Sequence, residues 1–155
     1  VKLLNVFVYG TLQPGEFYYS QYCEGKAIKA CEAIAFGQLY DLPMGYPAMT
    51  LGDRPVYGTL LSFADPAILN HLDELEGYDP GRSPTENEYG RQQIEVFSLD
   101  GRSLYFAWIY LMTTVQVQLL GGVLLPEGKW TGKGTGILDG KRGATVPLIQ
   151  NSGFY

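Results

Sequence analysis

Charge is scarce in this 155-residue chain. Only 17% of its residues are charged, and 11 Lys and Arg stand against 16 Asp and Glu, for a formal net charge of -5. A nucleic-acid partner calls for a basic face that displaces counterions from phosphates. The shortage of basic residues argues against such a partner, although a local site can still hold a small anion. Histidine is scarcer still, with His71 alone. One imidazole and two cysteines, Cys23 and Cys31, that form no CxxC pair do not make a zinc-ligand set. Two reduced, buried thiols are expected, with a Cys23–Cys31 disulfide as the alternative. No run approaches the roughly 20 apolar residues of a membrane span. Residues 1–9 lack the basic start and small-residue cleavage site of a secretory leader. A cytoplasmic protein with no membrane partner is the expectation. No serine sits in a Gly-x-Ser-x-Gly elbow. The glycines of 132–143, GKGTGILDGKRG, miss both the P-loop and the dinucleotide spacing.

What the chain has in quantity is apolar residues (46%), aromatics (14%, twelve of them Tyr), 20 Gly and 9 Pro. This is the composition of one folded domain rich in strands and turns. Leu3–Tyr9 is an apolar run suited to a central strand. Glu16–Cys23, EFYYSQYC, reads as a short helix or turn. Lys26–Leu39 reads as one bent strand or two, broken at Gly37, and 41–49 is turn-rich. Pro55–Phe63, PVYGTLLSF, is a strand pattern with an internal glycine that suggests a bulge or a bend. A helix follows, capped by Asp65, with Pro66 in its first turn and Gly77 as its stop. The stretch 79–90, DPGRSPTENEYG, has the composition of a loop. Gln92–Leu99 and Ser103–Met112 form a hairpin across the DG turn at 100–101. From 121 onwards the chain holds nine of its twenty glycines and is read as an irregular tail. The expected organisation is a domain over 1–120 and a Gly-rich tail over 121–155. The element order gives an α+β fold in which a small mixed β-barrel with a few short helices fits the bending.

The helix carries the most informative residue. At about 100° per residue from Ile68, Leu72 falls at about 40°, Leu69 at about 100° and Leu75 at about 340°. Glu76 falls at about 80°, inside that apolar stripe. A core-facing carboxylate at the last turn is opposed both by burial and by the helix dipole. Both raise its proton affinity towards the range used in proton transfer. The competing reading is that the helix frays at Leu75 and Glu76 turns into water. Asp73 and His71 lie at the two edges of the stripe, and His71 reads as a surface residue.

Four segments, in order, resemble one family: VYGTL (8–12) after the first strand, LDELEGY (72–78), YGRQQIEV (89–96) and AWIYLM (107–112). Together they resemble the gamma-glutamylcyclotransferase-like superfamily, which includes the gamma-glutamylamine cyclotransferases and AIG2-like proteins. The resemblance covers about residues 4–112. It implies a small mixed barrel with a pocket at one mouth. Backbone N–H groups at Tyr9, Gly10, Thr11 and Leu12 would hold the α-carboxylate of a small-molecule gamma-glutamyl substrate. Glu76 would be the general acid/base, and 5-oxoproline and a free amine or amino acid the products, with no metal or cofactor. Gly10 suits such a loop because it permits close approach and positive φ, so that successive N–H groups converge on an anion. Tyr110 is a candidate hydrogen-bond donor in the pocket, with packing as the equal alternative. Arg91 reads as a structural ion pair with a nearby carboxylate. The long loop 79–88 follows the catalytic position and is placed to lid or reshape the pocket. Two further readings stand beside the cyclotransferase. One is a different enzyme on the same pocket, such as a deprotection step in a biosynthetic route. The other is a small-molecule binder without turnover.

Overall fold

The computed structural model describes residues 2–131 of the chain. Leu4–Val8 (β1) is the apolar run at the start, and Val6, Phe7 and Val8 are fully buried. Both of its edges are paired, antiparallel to β3 and parallel to β5, which is why so short a strand carries side chains with no polar alternation. Tyr19–Tyr22 (α1) is a single turn of helix. Ala27–Asp41 (β2) and Pro47–Phe63 (β3) then form a long antiparallel hairpin. β2 is one bent strand, with a shift of register between Gly37 and Gln38. β3 begins eight residues earlier than its sequence pattern suggests, because Pro47–Thr50 pair with the end of β2. The internal glycine of β3 is explained by crowding: a Cβ at Gly58 would lie 2.3 Å from the Val8 carbonyl oxygen, so no side chain fits where β3 passes the end of its ladder with β1.

The next element, Ile68–Glu76 (α2), starts two residues later than its sequence signals. Asp65 and Pro66 form the preceding turn instead, in which Asp65 Oδ1 accepts from the Ala67 N–H at 3.0 Å. Its end falls where expected. Gly77 takes the left-handed conformation (φ 67°) and its N–H closes on the carbonyls of Asp73 and Glu74. A one-turn 3₁₀ helix, Pro84–Glu86, sits inside the predicted loop, with Ser83 and Glu86 forming a reciprocal capping box. Gly90–Phe97 (β4) and Ser103–Leu111 (β5) are the hairpin across Asp100–Gly101. Thr114–Leu119 (α3) was not signalled by the sequence; Thr113 caps it by accepting from the Gln116 N–H at 3.1 Å. Val123–Leu124 (β6) adds to the edge of β2, and the Trp130 indole N–H donates to Asp41 at 2.9 Å.

The strands form one six-stranded mixed sheet in the order β3-β1-β5-β4-β2-β6. Because β2 also pairs with β3, the first five strands close into a ring. The ring is uneven: β2 and β4 meet at a single residue pair, Ile34 and Phe97. The α+β class holds, but the expected barrel is not a clean one. Cys23 is buried as expected, whereas Cys31 is exposed on β2; neither is bonded. Among the described residues no helix is long and apolar enough to cross a membrane. The glycine run 132–143 lies outside the described residues.

Candidate active site

The periodicity of α2 carries through to three dimensions. Ile68, Leu72, Leu75 and Glu76 are buried, with Glu76 0% exposed, while Leu69 of the predicted stripe is half-buried. His71 is exposed. Because α2 keeps helical geometry to its last residue and Gly77 turns the chain away only afterwards, Glu76 cannot swing out into water. Neither of its carboxylate oxygens has a hydrogen-bond partner among the described residues. Burial pushes its proton affinity well above that of an ordinary glutamate, and the nearby charges of Glu88 and Asp73 push it further.

Around this carboxyl the structure gathers groups from five parts of the chain. Asp73, one turn earlier on α2, is bound by Arg91 of β4 at 2.5 Å and accepts the Tyr110 hydroxyl of β5 at 2.6 Å. The ion pair expected of Arg91 is therefore made, and with a residue the helix pattern had placed only at the stripe's edge. The Arg91 guanidinium is also flanked by Tyr78 and Trp108, 5.1 and 4.8 Å from the ring centroids. Tyr110 is buried with its hydroxyl directed at Asp73, so it orders the site through that carboxylate. Tyr9 leaves the end of β1 and acts as a bolt. Its hydroxyl donates to the Tyr110 carbonyl at 2.6 Å and accepts the Met49 N–H at 3.2 Å. Burial first, and then the charge of Glu76, raise the Tyr9 phenol's proton affinity, which places the two side chains within electrostatic reach.

Glu88, Tyr46 and Tyr89 were not singled out from the sequence. Glu88 accepts the Tyr46 hydroxyl at 2.8 Å, and Tyr89 donates to the Pro47 carbonyl at 2.8 Å. Burial raises the Glu88 carboxyl to about 7, against the opposing hydrogen bond from Tyr46. The available signal was only the position of Glu88 beside the YGR motif. Its loop composition pointed to solvent.

The loop after β1 is more compact than a hairpin turn. Tyr9, Gly10, Thr11 and Leu12 are all buried. The Gly10 carbonyl accepts from Gln13 at 3.0 Å and the Thr11 carbonyl from Tyr18 at 2.8 Å, so the loop folds back onto the approach to α1. Its left-handed glycine is Gly15 (φ 89°), and Gly10, for which positive φ had been anticipated, is not in that region. A cavity of about 580 Å³ opens beside Gln13, Glu16, Cys31 and Lys129, and another of about 500 Å³ beside the loop 79–88. Glu76 and residues 9–12 line neither of these two. Among the described residues no cluster of His, Cys, Asp and Glu could hold a metal ion.

Comparison with known proteins gives the family and the fold. Residues 6–132 match the family model described as gamma-glutamyl cyclotransferase, AIG2-like. The chain is 33% identical over 106 residues to the gamma-L-glutamyl-butirosin B gamma-glutamyl cyclotransferase of Niallia circulans, a match that covers 68% of this chain and 66% of that protein. Its fold resembles that of an AIG2-like protein from Mus musculus, with a TM-score of 0.62, 19% identity, and coverage of 84% of this chain and 90% of that one. It also resembles YkqA from Bacillus subtilis, with a TM-score of 0.58 and 22% identity, covering 83% of this chain but 40% of the other. The chain thus spans just under two thirds of the curated relative and less than half of YkqA.

Proposed function

Since the chain belongs to the gamma-glutamyl cyclotransferase, AIG2-like family, we propose that it is a cyclotransferase that converts a gamma-glutamyl amine or amino acid to 5-oxoproline and releases the amine. The observation that carries this reading is Glu76: a fully buried carboxyl with no hydrogen-bond partner among the described residues. Left unpaired, such a group is costly. A structural role would supply a cation or donors, as Arg91 and Tyr110 do for Asp73. A group that must take and return protons is kept without them.

In this reading the α-carboxylate of the glutamyl group binds to the backbone of residues 9–12, and Glu76 faces its amine. The α-ammonium gives a proton to Glu76, and the neutral nitrogen attacks the γ-carbonyl carbon. The new C–N bond closes the ring. The tetrahedral centre collapses by breaking the bond to the departing nitrogen, which is protonated by Glu76. Two protons leave the α-nitrogen overall and both finish on the departing amine, so Glu76 ends as it began. Nucleophile and carbonyl belong to one molecule, and holding that chain curled supplies much of the rate. No cofactor enters, and a cytoplasmic location suits such a reaction.

The test is 5-oxoproline release from a panel of gamma-glutamyl dipeptides, gamma-glutamyl amines, glutathione and gamma-L-glutamyl-butirosin B, the last because the Niallia relative is named for that compound. Release from at least one member supports the reading. Binding of panel members with no 5-oxoproline from any of them refutes it and leaves a binding protein on this fold.

A further inference from the structure

The proposed reaction uses one carboxyl, yet the fold brings a second one close to it. The loop 79–88 is tied at its base. Asn87 accepts from the Asp79 N–H and from Arg82 Nε, both at 3.0 Å, and Arg82 also donates to the Gly77 carbonyl at 3.0 Å. The Glu88 N–H donates to that same carbonyl at 3.1 Å. A Cβ placed on Gly77 would lie 3.2 Å from Glu88 Cβ and 3.4 Å from its Oε1, so the Glu88 side chain rests on the residue directly after Glu76. Its other oxygen takes the Tyr46 hydroxyl. Glu88 is half-buried and lines the cavity of about 500 Å³ beside the loop, whereas Glu76 is sealed.

We propose that Glu88 is a positioning residue of this site: fixed by Gly77 and Tyr46, it works through Glu76 and sets the pH at which the sealed carboxyl takes up and releases its proton. The inference rests on the reading of Glu76 as the acid/base. The other titratable groups that face Glu76 do not fill this role. Asp73 is matched by Arg91 and Tyr110. Tyr9 from β1, Tyr22 from α1, Tyr89, and Tyr110 from β5 are phenols whose proton affinity is raised by burial, so they stay neutral. Glu88 alone among them changes charge near neutrality. Its chemistry also suits the reaction. Two protons pass from one nitrogen to the other and a single carboxyl holds one at a time, so a neighbour that responds to the charge of Glu76 eases the exchange.

Two measurements test the proposal. The first is the pH dependence of kcat/KM for 5-oxoproline release in the wild type, Glu88→Gln and Glu88→Asp. Removal of the Glu88 charge should move the acidic limb to lower pH, and Glu88→Asp, which restores a carboxylate, should move it back towards the wild type. A packing role would alter the height of the profile and leave its position. An identical limb in all three proteins overturns the proposal. The second needs no turnover. The infrared band of a protonated carboxyl that vanishes in Glu76→Gln reports Glu76 itself. In Glu88→Gln this band should disappear at lower pH than in the wild type, and an unmoved midpoint overturns the proposal. A panel that yields no 5-oxoproline would defeat the cyclotransferase reading while the infrared titration still decides this one.

Discussion

Replacing Glu88 by glutamine should make the folded protein less sensitive to alkaline pH. In the unfolded chain this carboxyl titrates near its ordinary 4.5, and in the fold it is raised to about 7. Between those values the folded state holds the proton more tightly than the unfolded one. The contribution of Glu88 to stability is therefore fully present below 4.5, falls as pH rises through the window, and stays low above 7. At about 1.36 kcal/mol per pH unit the loss is at most about 3 kcal/mol. Glu88 is half-buried and borders an open cavity, so solvent screening reduces this to about 1–2 kcal/mol. Urea unfolding of the two proteins at about pH 4 and about pH 8.5 measures the difference. Glutamine resembles the protonated acid, so the stabilities should agree at the acidic value, and at the alkaline value the variant should be more stable by about 1–2 kcal/mol. Both proteins keep an alkaline loss due to Glu76; without the Glu88 charge the proton affinity of Glu76 is raised less, so that loss is smaller in the variant and adds to the difference in the same direction. A stability difference that is the same at both values, or a variant weakened at the alkaline one, would refute the reasoning.

Arg91→Met should destabilise the protein by about 3 kcal/mol in urea unfolding, because it strands a largely buried Asp73 carboxylate; the double variant Asp73→Asn, Arg91→Met should lose less than the single one. Tyr9→Phe leaves the Tyr110 carbonyl and the Met49 N–H without the hydroxyl that joins them. It should cost about 2–3 kcal/mol and speed amide hydrogen exchange at Met49.

How much of this was readable beforehand depends on the range of the forces involved. The helix and its misplaced glutamate were legible because a 3.6-residue period over Ile68–Glu76 and a glycine at 77 are local signals, and the fold keeps both. The hairpin over Asp100–Gly101 was legible for the same reason. The length of β2 and β3 was not, since the turn-rich composition of 41–49 conceals that Pro47–Thr50 pair with the preceding strand. Gly58 read as a bulge or a bend, and only its closeness to the Val8 carbonyl shows it as a steric requirement. Glu88 was hidden by its setting. A charged residue in a run of Pro, Gly, Ser and Asn looks solvated, and nothing local reveals that the loop's own hydrogen bonds fold it back onto Gly77. Asp73 shows the same limit in milder form: its helix angle placed it at an edge, and the tertiary contacts with Arg91 and Tyr110 decided which way it faces.

The central claim is that Glu76 moves the protons, and the most direct measurement is the rate of 5-oxoproline release by wild type and Glu76→Gln on the best substrate of the panel. Glutamine keeps the shape and removes the base. The account predicts a loss of at least about 100-fold in kcat with KM little changed. Equal rates in a folded variant would contradict it.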